Sequence, residues 1–471
     1  MENKTSFKEE ISELLTADDL ISRKDELVCM IDEKRYSDFA KIISESHSAD
    51  VAELIDATPE AYRPIFFRLL PKEIAADVFV CMDADAKEHI ISSFTDKELA
   101  LILQELYIDD TVDIIEEMPA SVVKRIIRNS THENRSEINR LLRYPKNSAG
   151  SIMTTEYVRF KGCMTVGEAL DHIRRVAIDK ETIYTCYVTD AYRRLLGIVT
   201  AKDLLISSLD TELSEIMEES VVSVTTTDDR EEVANKFHKY NFLALPVVDN
   251  EHRLVGIVTV DDAIDVIREE AEEDFAKMAA ITPTETPYLK ESPLDIFKAR
   301  IPWLLILMVS ATLSSTILSF FEAAIAAVFV LFVPMLMDTG GNSGSQASVT
   351  VIRGISVGEV RRGDVLRVVL KELAVSALCG LSLALVAFGK VMLVDRLIMN
   401  NPEVTLMVAF IVSLTLAITV ILAKLIGASL PILASRLGLD PAVMASPFIT
   451  TVVDALSLII YFLIASRLLP L

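Results

Sequence analysis

Positive charge is scarce in this chain: 46 Lys and Arg stand against 69 Asp and Glu, a formal net charge of −23 over 471 residues. The deficit is uneven. Residues 299–471 hold 11 basic and 9 acidic side chains, which leaves 35 basic and 60 acidic for residues 1–298, or −25 on that half. Such a surface repels nucleic acid and anionic lipid and attracts cations. Cysteine is also rare. Cys29, Cys81, Cys163, Cys186 and Cys379 are odd in number and scattered, with no CxxC or Cys/His ligand spacing, which points to a reducing, cytosolic environment. The six histidines are dispersed through the first 298 residues. There is no GxxxxGK[ST], no GxGxxG after a strand, no HExxH and no GxSxG, so nothing marks an enzyme. The N-terminus, MENKTSFKEE, lacks an apolar signal core, and the charged half is expected to stay unexported.

Apolar residues, by contrast, are abundant, at 51% with a mean hydropathy of +0.37, and a chain of this length divides into several domains. The apolar runs fall at Ile301–Phe321, Ala323–Val351, Val368–Val394, Val404–Leu433 and Pro441–Leu468, each long enough to cross a bilayer. Five crossings put the termini on opposite sides. Lys298 and Arg300 precede the first run, and Arg353, Arg361, Arg362, Arg367 and Lys371 surround the second connection. The third connection offers Arg396 alone. The positive-inside rule therefore predicts a multi-pass protein of the cytoplasmic membrane with its large N-terminal half in the cytosol.

Two of those runs contain groups that hydrocarbon does not tolerate. Pro334 to Arg353 reads PMLMDTGGNSGSQASVTVIR and lands Gly340, Gly341, Asn342 and Gln346 inside the membrane, where irregular backbone survives only against protein or a water-filled cavity. Small residues for close helix packing are the alternative, which leaves Asp338, Asn342 and Gln346 unexplained. The last run has Asp454 near its midpoint, at a cost of about 2.5–3.5 kcal/mol unless it faces protein or water. Ser446, Thr450, Asp454 and Ser457 recur there at helical spacing. Asp440 lies 14 residues earlier and, preceding Pro441, suits a helix N-cap as well as ion attraction. For Asp454 the alternative is a structural ion pair with Lys424 or with another span.

The soluble half reads as two kinds of repeat. Within residues 1–140 apolar positions recur at three and four, and Pro71, Thr95 and Pro119 each open a unit of 24 residues, the pattern of a short helical solenoid. Residues 148–208 and 213–270 form a second duplication. Leu196-Gly197-Ile198-Val199-Thr200 with Asp203 matches Val255-Gly256-Ile257-Val258-Thr259 with Asp262, and Asp190 matches Asp249, all offset by 59. Strand-like runs alternate with helical ones in both copies. This motif, with SIM or EIM near each start, resembles a pair of cystathionine-β-synthase (CBS) domains. The resemblance implies an adenine-nucleotide site, ATP for example, involving Lys202, Asp203 and Phe242. Next comes DDAIDVIREEAEEDFAKMAA, a helix whose like charges (Asp262, Asp265, Glu269, Glu270, Glu273, Asp274) gain from divalent cations. Pro283, Pro287 and Pro293 end it.

With LLRYPKNSAGSIMT, PMLMDTGGNSGSQASVTVIRG and LGLDPAVMASPFITTVVDALSLIIYF in this order, the chain resembles the MgtE family of magnesium channels throughout. The domains then divide as helical solenoid 1–143, first CBS domain 144–209, second CBS domain 210–268, acidic plug helix and linker 269–295, and a five-helix transmembrane pore domain 296–471. The resemblance implies a homodimeric, Mg2+-selective channel, not an enzyme, that cytosolic Mg2+ closes. Asp454 is then the central pore site, Asp440 lies near the cytosolic mouth, and Gly340, Gly341 and Asn342 line the path. Regulatory ions would sit where the solenoid (Asp109, Asp110, Asp113), the CBS pair (Glu231) and the plug helix (Asp262, Asp265, Glu270, Glu273, Asp274) meet. The family often has asparagine where Ser446 stands. Mg2+ favours oxygen ligands and gives up water reluctantly, and the membrane part has no histidine. The rival reading is a gradient-coupled transporter of Mg2+, Co2+ or Mn2+ regulated by nucleotide; five spans do not divide into the inverted repeats usual there.

Overall fold

The computed structural model describes residues 16–468 apart from 45, 285–287, 289–290, 323–326, 362 and 445, and it divides into two compact units at Ile267/Arg268. Pro287, one of the expected helix breakers, lies outside the described residues.

In the first unit six ten-residue helices begin every 12 residues: Lys72–Cys81, Ala84–Ser93, Asp96–Glu105, Ile108–Glu117, Ala120–Asn129 and His132–Leu141. Two helices make the 24-residue period. Met82, Phe94, Leu106 and Met118 follow four of them in extended conformation and are buried, so an apolar anchor turns the chain after each of these four. The openers differ in chemistry but not in place. Pro71 and Pro119 stand at N-caps, and Thr95 forms a reciprocal capping box with Glu98.

The 59-residue duplication becomes two three-stranded sheets. Strands β1 (Tyr157–Lys161), β2 (Thr182–Thr189) and β3 (Leu195–Thr200) pair in that order, as do β4 (Val224–Thr225), β5 (Ala244–Val248) and β6 (Leu254–Thr259); the first pair in each sheet is parallel and the second antiparallel. Even the irregularities repeat. The register slips between Val188 and Thr189 and again between Val247 and Val248. Asp190 Oδ1 accepts from the N–H groups of Tyr192 and Arg194 across the β2–β3 turn, and Asp249 Oδ1 does the same for Glu251 and Arg253. Thr200 and Asp203 cap the helix after β3 with three hydrogen bonds, and after β6 the Thr259 N–H and hydroxyl likewise donate to Asp262 Oδ2. The helix that Asp262 opens, Val260–Met278, runs unbroken past residue 268, so the last helix of the second repeat and the acidic helix are one element.

Among the described residues the second unit contains five long helices. Four are apolar and long enough to cross a membrane, within Pro293–Phe321, Val365–Ile398, Leu406–Arg436 and Pro441–Leu468. The expected run from Ala323 differs. Ala327–Phe332 is a 3₁₀ turn, and the helix proper, Val333–Ser356, is the glycine and amide segment, too polar to qualify by composition. Its backbone is continuous through Gly340, Gly341 and Asn342, which corrects the expectation of irregular backbone there. The glycines serve close approach instead. A Cβ on Gly340 would sit 2.7 Å from Thr419 Cγ2, and one on Gly427 would sit 2.2 Å from the Gly344 carbonyl oxygen. Small residues thus let the glycine helix press against helices Leu406–Arg436 and Ser446–Leu468. The last apolar run is likewise not one helix from Pro441, because Pro441–Met444 is a 3₁₀ turn and the α-helix begins at Ser446. Asp440 therefore does not share a continuous helical face with Asp454.

Candidate functional site

Two groups of carboxylates stand out, one in each unit. In the first unit helix Ile108–Glu117 places Asp109 and Asp110 near the residues that precede β1 and β2. One carboxylate oxygen from each of Asp109, Glu156 and Glu181 lies within 4.8 Å of the others. Glu156 Oε2 accepts from the Ile108 N–H at 3.3 Å, and the Glu181 N–H donates to the Glu156 carbonyl at 2.9 Å. Asp109 is 9% exposed, and among the described residues its Oδ1 has no hydrogen-bond partner, nor has Glu181 Oε2. Burial dominates the titration of these groups. It pushes Asp109 up to about 7, with Asp110 and Glu156 adding to the rise, and Glu181 to about 8, with Asp109 adding. Asp110, at about 6, is raised by burial and then by Asp262, while Lys87 opposes the rise. Asp262 is raised to about 7 by burial and Asp109, against the Thr259 hydrogen bond. A pocket of mutually repelling, partly desolvated carboxylates is an oxygen-only site short of positive charge, the chemistry that Mg2+ satisfies.

The expected regulatory residues are only partly gathered there. Asp109, Asp110 and Asp262 converge, and Asp113 stands on the exposed side of the same helix with Asp262 as the leading charge acting on it. Glu231 and Asp265 are exposed, outside the buried group. Glu156 and Glu181 were not among the expected residues. Their only sequence signal is position: each precedes a strand, and the parallel pairing of β1 with β2 brings them side by side.

Glu270, Glu273 and Asp274 belong to the second unit. Ser356 Oγ donates to Asp274 Oδ2 at 2.8 Å, which ties the acidic helix to the end of the glycine helix. Lys277 Nζ lies 2.5 Å from Glu273 and 2.6 Å from Asp440. Asp440 also accepts from the Ala442 N–H at 2.8 Å, so the cap role and a charged role coexist. Met278 packs with Ile352 and Ala442 beside them.

Within the spans, Asp454 is half-buried on helix Ser446–Leu468 and, among the described residues, has no hydrogen-bond or ion-pair partner. The ion pair with Lys424 does not form. Lys424 is 6% exposed and joins no ion pair among the described residues. Thr450 and Ser457 satisfy their hydroxyls on the carbonyls of Pro447 and Val453, which leaves Asp454 free among the described side chains of that stripe. Gly341 faces it: a Cβ there would lie 3.7 Å from Asp454 Oδ1. On the glycine helix Asp338, Asn342, Gln346 and Thr350 recur at intervals of four and are exposed in the single chain, while Gly340, Gly341 and Gly344 are buried. One face packs and the other is a polar stripe without cover.

In the CBS-like repeats Lys202 is exposed and the Asp203 carboxylate is engaged by Thr200 at 2.5 Å. Phe242 stacks on Tyr240, ring centroids 5.3 Å apart.

Three family models match the chain: the MgtE intracellular N domain over residues 46–147, the CBS domain over 149–210 and 213–269, and the divalent cation transporter domain over 333–464. The magnesium transporter MgtE of Thermus thermophilus is 38% identical over 91% of this chain and 94% of its own length. That of Bacillus subtilis is 30% identical over 96% and 98%. A crystal structure of the soluble part of a magnesium transporter, 31% identical, matches 54% of this chain and 99% of its own with a TM-score of 0.50. This chain belongs to the MgtE family of magnesium transporters.

Proposed function

We propose that the protein is a homodimeric, Mg2+-selective channel of the cytoplasmic membrane, with the acidic N-terminal half in the cytosol and its pore between the two copies. The observation that carries this reading is the exposed stripe of Asp338, Asn342 and Gln346 on the glycine helix, next to an unpartnered Asp454. Uncovered amides and carboxylates in hydrocarbon are costly, and a second copy facing the first would enclose them around water. Asp454 from two copies would then hold Mg2+ through its hydration shell, because this ion keeps several waters when bound by carboxylates. Purified protein in liposomes tests it. Mg2+ influx driven by its own gradient, independent of proton or sodium gradients and lost in Asp454→Asn, is expected; flux that requires a proton gradient would favour the coupled transporter.

Gating follows from charge. Without cations the carboxylates of Asp109, Asp110, Asp262, Glu156 and Glu181 repel one another, and ions that bind only the compact arrangement shift the population toward it. The transported ion would thereby close its own path, with Asp274 and Asp440 at the cytosolic mouth as further ligands. An adenine nucleotide would lie on the Phe242 ring with its ribose toward Asp203. Calorimetry on the purified protein, with ATP at millimolar concentration, decides that part.

A further inference from the structure

One cation lies deep among the apolar spans. Lys424 is the one charged residue of helix Leu406–Arg436 before its last position, it is 6% exposed, and it joins no ion pair among the described residues. Two helices flank it. Ala423 and Gly427 beside it press the glycine helix: a Cβ on Gly344 would meet the Ala423 carbonyl oxygen at 3.2 Å, and one on Gly427 would meet the Gly344 carbonyl oxygen at 2.2 Å. On the other side runs helix Val365–Lys390, where a Cβ on Gly380 would meet the Ala417 carbonyl oxygen at 3.0 Å, while Val365 and Val368 pack in one cluster with Ala428 and Ile432. Residue numbers fall along one helix as they rise along the other, so the two run antiparallel.

That register sets Lys424 against a carboxylate. Glu372 lies eight residues before Gly380 and Lys424 seven after Ala417, about 12 and 10 Å along helices that meet at that glycine, which brings both to one depth. Glu372 recurs at intervals of four with the buried Ser376 and Gly380, and Lys424 lies two turns from Ala417, so each is on the face that meets the other helix. Glu372 is the one acid of its helix and is half-buried, and its Oε2 is buried without a hydrogen-bond partner among the described residues; Lys371 beside it is exposed. The two charges do not touch in an ion pair. They act on each other through a seam of low dielectric, where a unit charge carries farther than in water.

We propose that Glu372 and Lys424 neutralise each other behind the glycine helix, and that this keeps a bare positive charge from acting on the cation path along that helix's other side. The first half stands on the two charges alone. The second rests on the reading above, in which the stripe of Asp338, Asn342 and Gln346 lines the path. The glycine helix is about 10 Å across, and a lone ammonium behind it would oppose a dication in front with twice the energy it exerts on a monovalent ion. With Glu372 ionised at the same depth, the two fields largely cancel at that distance. Both are positioning residues: they set the potential of the wall and touch no permeating ion.

A mutant cycle on the full-length protein tests it: Glu372→Gln in the wild-type and in the Lys424→Met background, read by melting in detergent and by Mg2+ influx into liposomes. Beside Lys424, Glu372→Gln strands a buried charge and should lower the melting temperature by about 2–4 °C; beside methionine it should lower it far less. It should slow Mg2+ influx about tenfold, between the few-fold effect of a unit charge about 10 Å from a dication in water and the hundreds-fold effect at a dielectric near 20. In the Lys424→Met background the same change should leave influx within about twofold. Lys424→Met alone should conduct as well as wild type or better, which a purely structural role would not allow, and Glu372→Asp should match wild type. An equal loss of melting temperature, or of assembly, in both backgrounds overturns the neutralisation. Unchanged influx in Glu372→Gln, or slower influx in Lys424→Met, overturns the effect on the path. If wild-type influx proves to require a proton gradient, the channel reading falls, while the melting cycle still decides the neutralisation.

Discussion

Replacing Asp109 by asparagine should stabilise the metal-free cytosolic unit and weaken its response to magnesium, two effects that a purely structural role would not combine. Burial with Asp110 and Glu156 nearby raises Asp109 from 3.8 to about 7. Each pKa unit corresponds to about 1.36 kcal/mol, so keeping this side chain ionised costs the folded unit about 4 kcal/mol, an upper figure because asparagine must also be desolvated. The sign follows from linkage. A carboxyl raised in the folded state penalises folding fully above its folded pKa, and the penalty fades as pH falls through about 7 toward 3.8. Asp110, Glu181 and Asp262 are raised to about 6, 8 and 7 and act in the same direction. In EDTA the urea midpoint of the cytosolic helical signal of the full-length protein should therefore rise as pH drops from 8 to 5. Asp109→Asn should lie above wild type at pH 8, and the gap should narrow to less than half by pH 5. Adding Mg2+ at pH 8 should stabilise wild type more than the variant, by several-fold in apparent affinity. A wild-type midpoint that is flat between pH 8 and 5, or a variant less stable than wild type at pH 8 in EDTA, would refute the reasoning.

Asp454→Asn should insert and assemble normally but lose most Mg2+ flux in liposomes, and unchanged flux would remove Asp454 from the pore. Gly427→Ala places a methyl 2.2 Å from the Gly344 carbonyl oxygen, and the helices must part; a loss of about 1–3 kcal/mol is expected, read as a lower melting temperature in detergent. Asp203→Ala removes the reciprocal cap with Thr200 and should cost about 1 kcal/mol of stability. In calorimetry it should also weaken ATP binding with Asp454-dependent flux unchanged. Glu181→Gln, at a residue that sequence spacing did not single out, should reduce Mg2+-dependent protease protection of the soluble half at pH 8; full wild-type protection would place the ion elsewhere.

The two duplications were legible because each repeat is written in local chemistry. Pro71, Thr95 and Pro119 start helices for reasons contained in their own side chains, and Asp190 and Asp249 close their turns on backbone N–H groups two and four residues away. Asp454 stood out because a carboxylate in an apolar run must face protein or water. What escaped the sequence depends on pairing across distance. Glu156 and Glu181 meet Asp109 only after β1 and β2 have paired, and Lys277 meets Asp440 only after the acidic helix has reached the turn before the last helix. Gly340 and Gly341 misled in a simple way. In the membrane, glycine suits a broken backbone and a tightly packed helix equally well, and only the positions of Thr419, Thr450 and Ser457 distinguish the two.

The unbroken backbone of Val333–Ser356 has a consequence for the pore proposed above. In a continuous helix each carbonyl in the interior is already committed to the N–H four residues on, so this wall has no bare carbonyl oxygens with which to strip an ion. It presents carboxamide, hydroxyl and carboxylate groups on flexible stems, at the spacing of whole helical turns. Lining the path proposed above, such a wall would meet the water shell of the cation and leave the shell in place. Discrimination would then be made on the size and rigidity of the hydrated complex, a quantity in which magnesium, with its slow and orderly water exchange, stands apart from the monovalent ions that outnumber it.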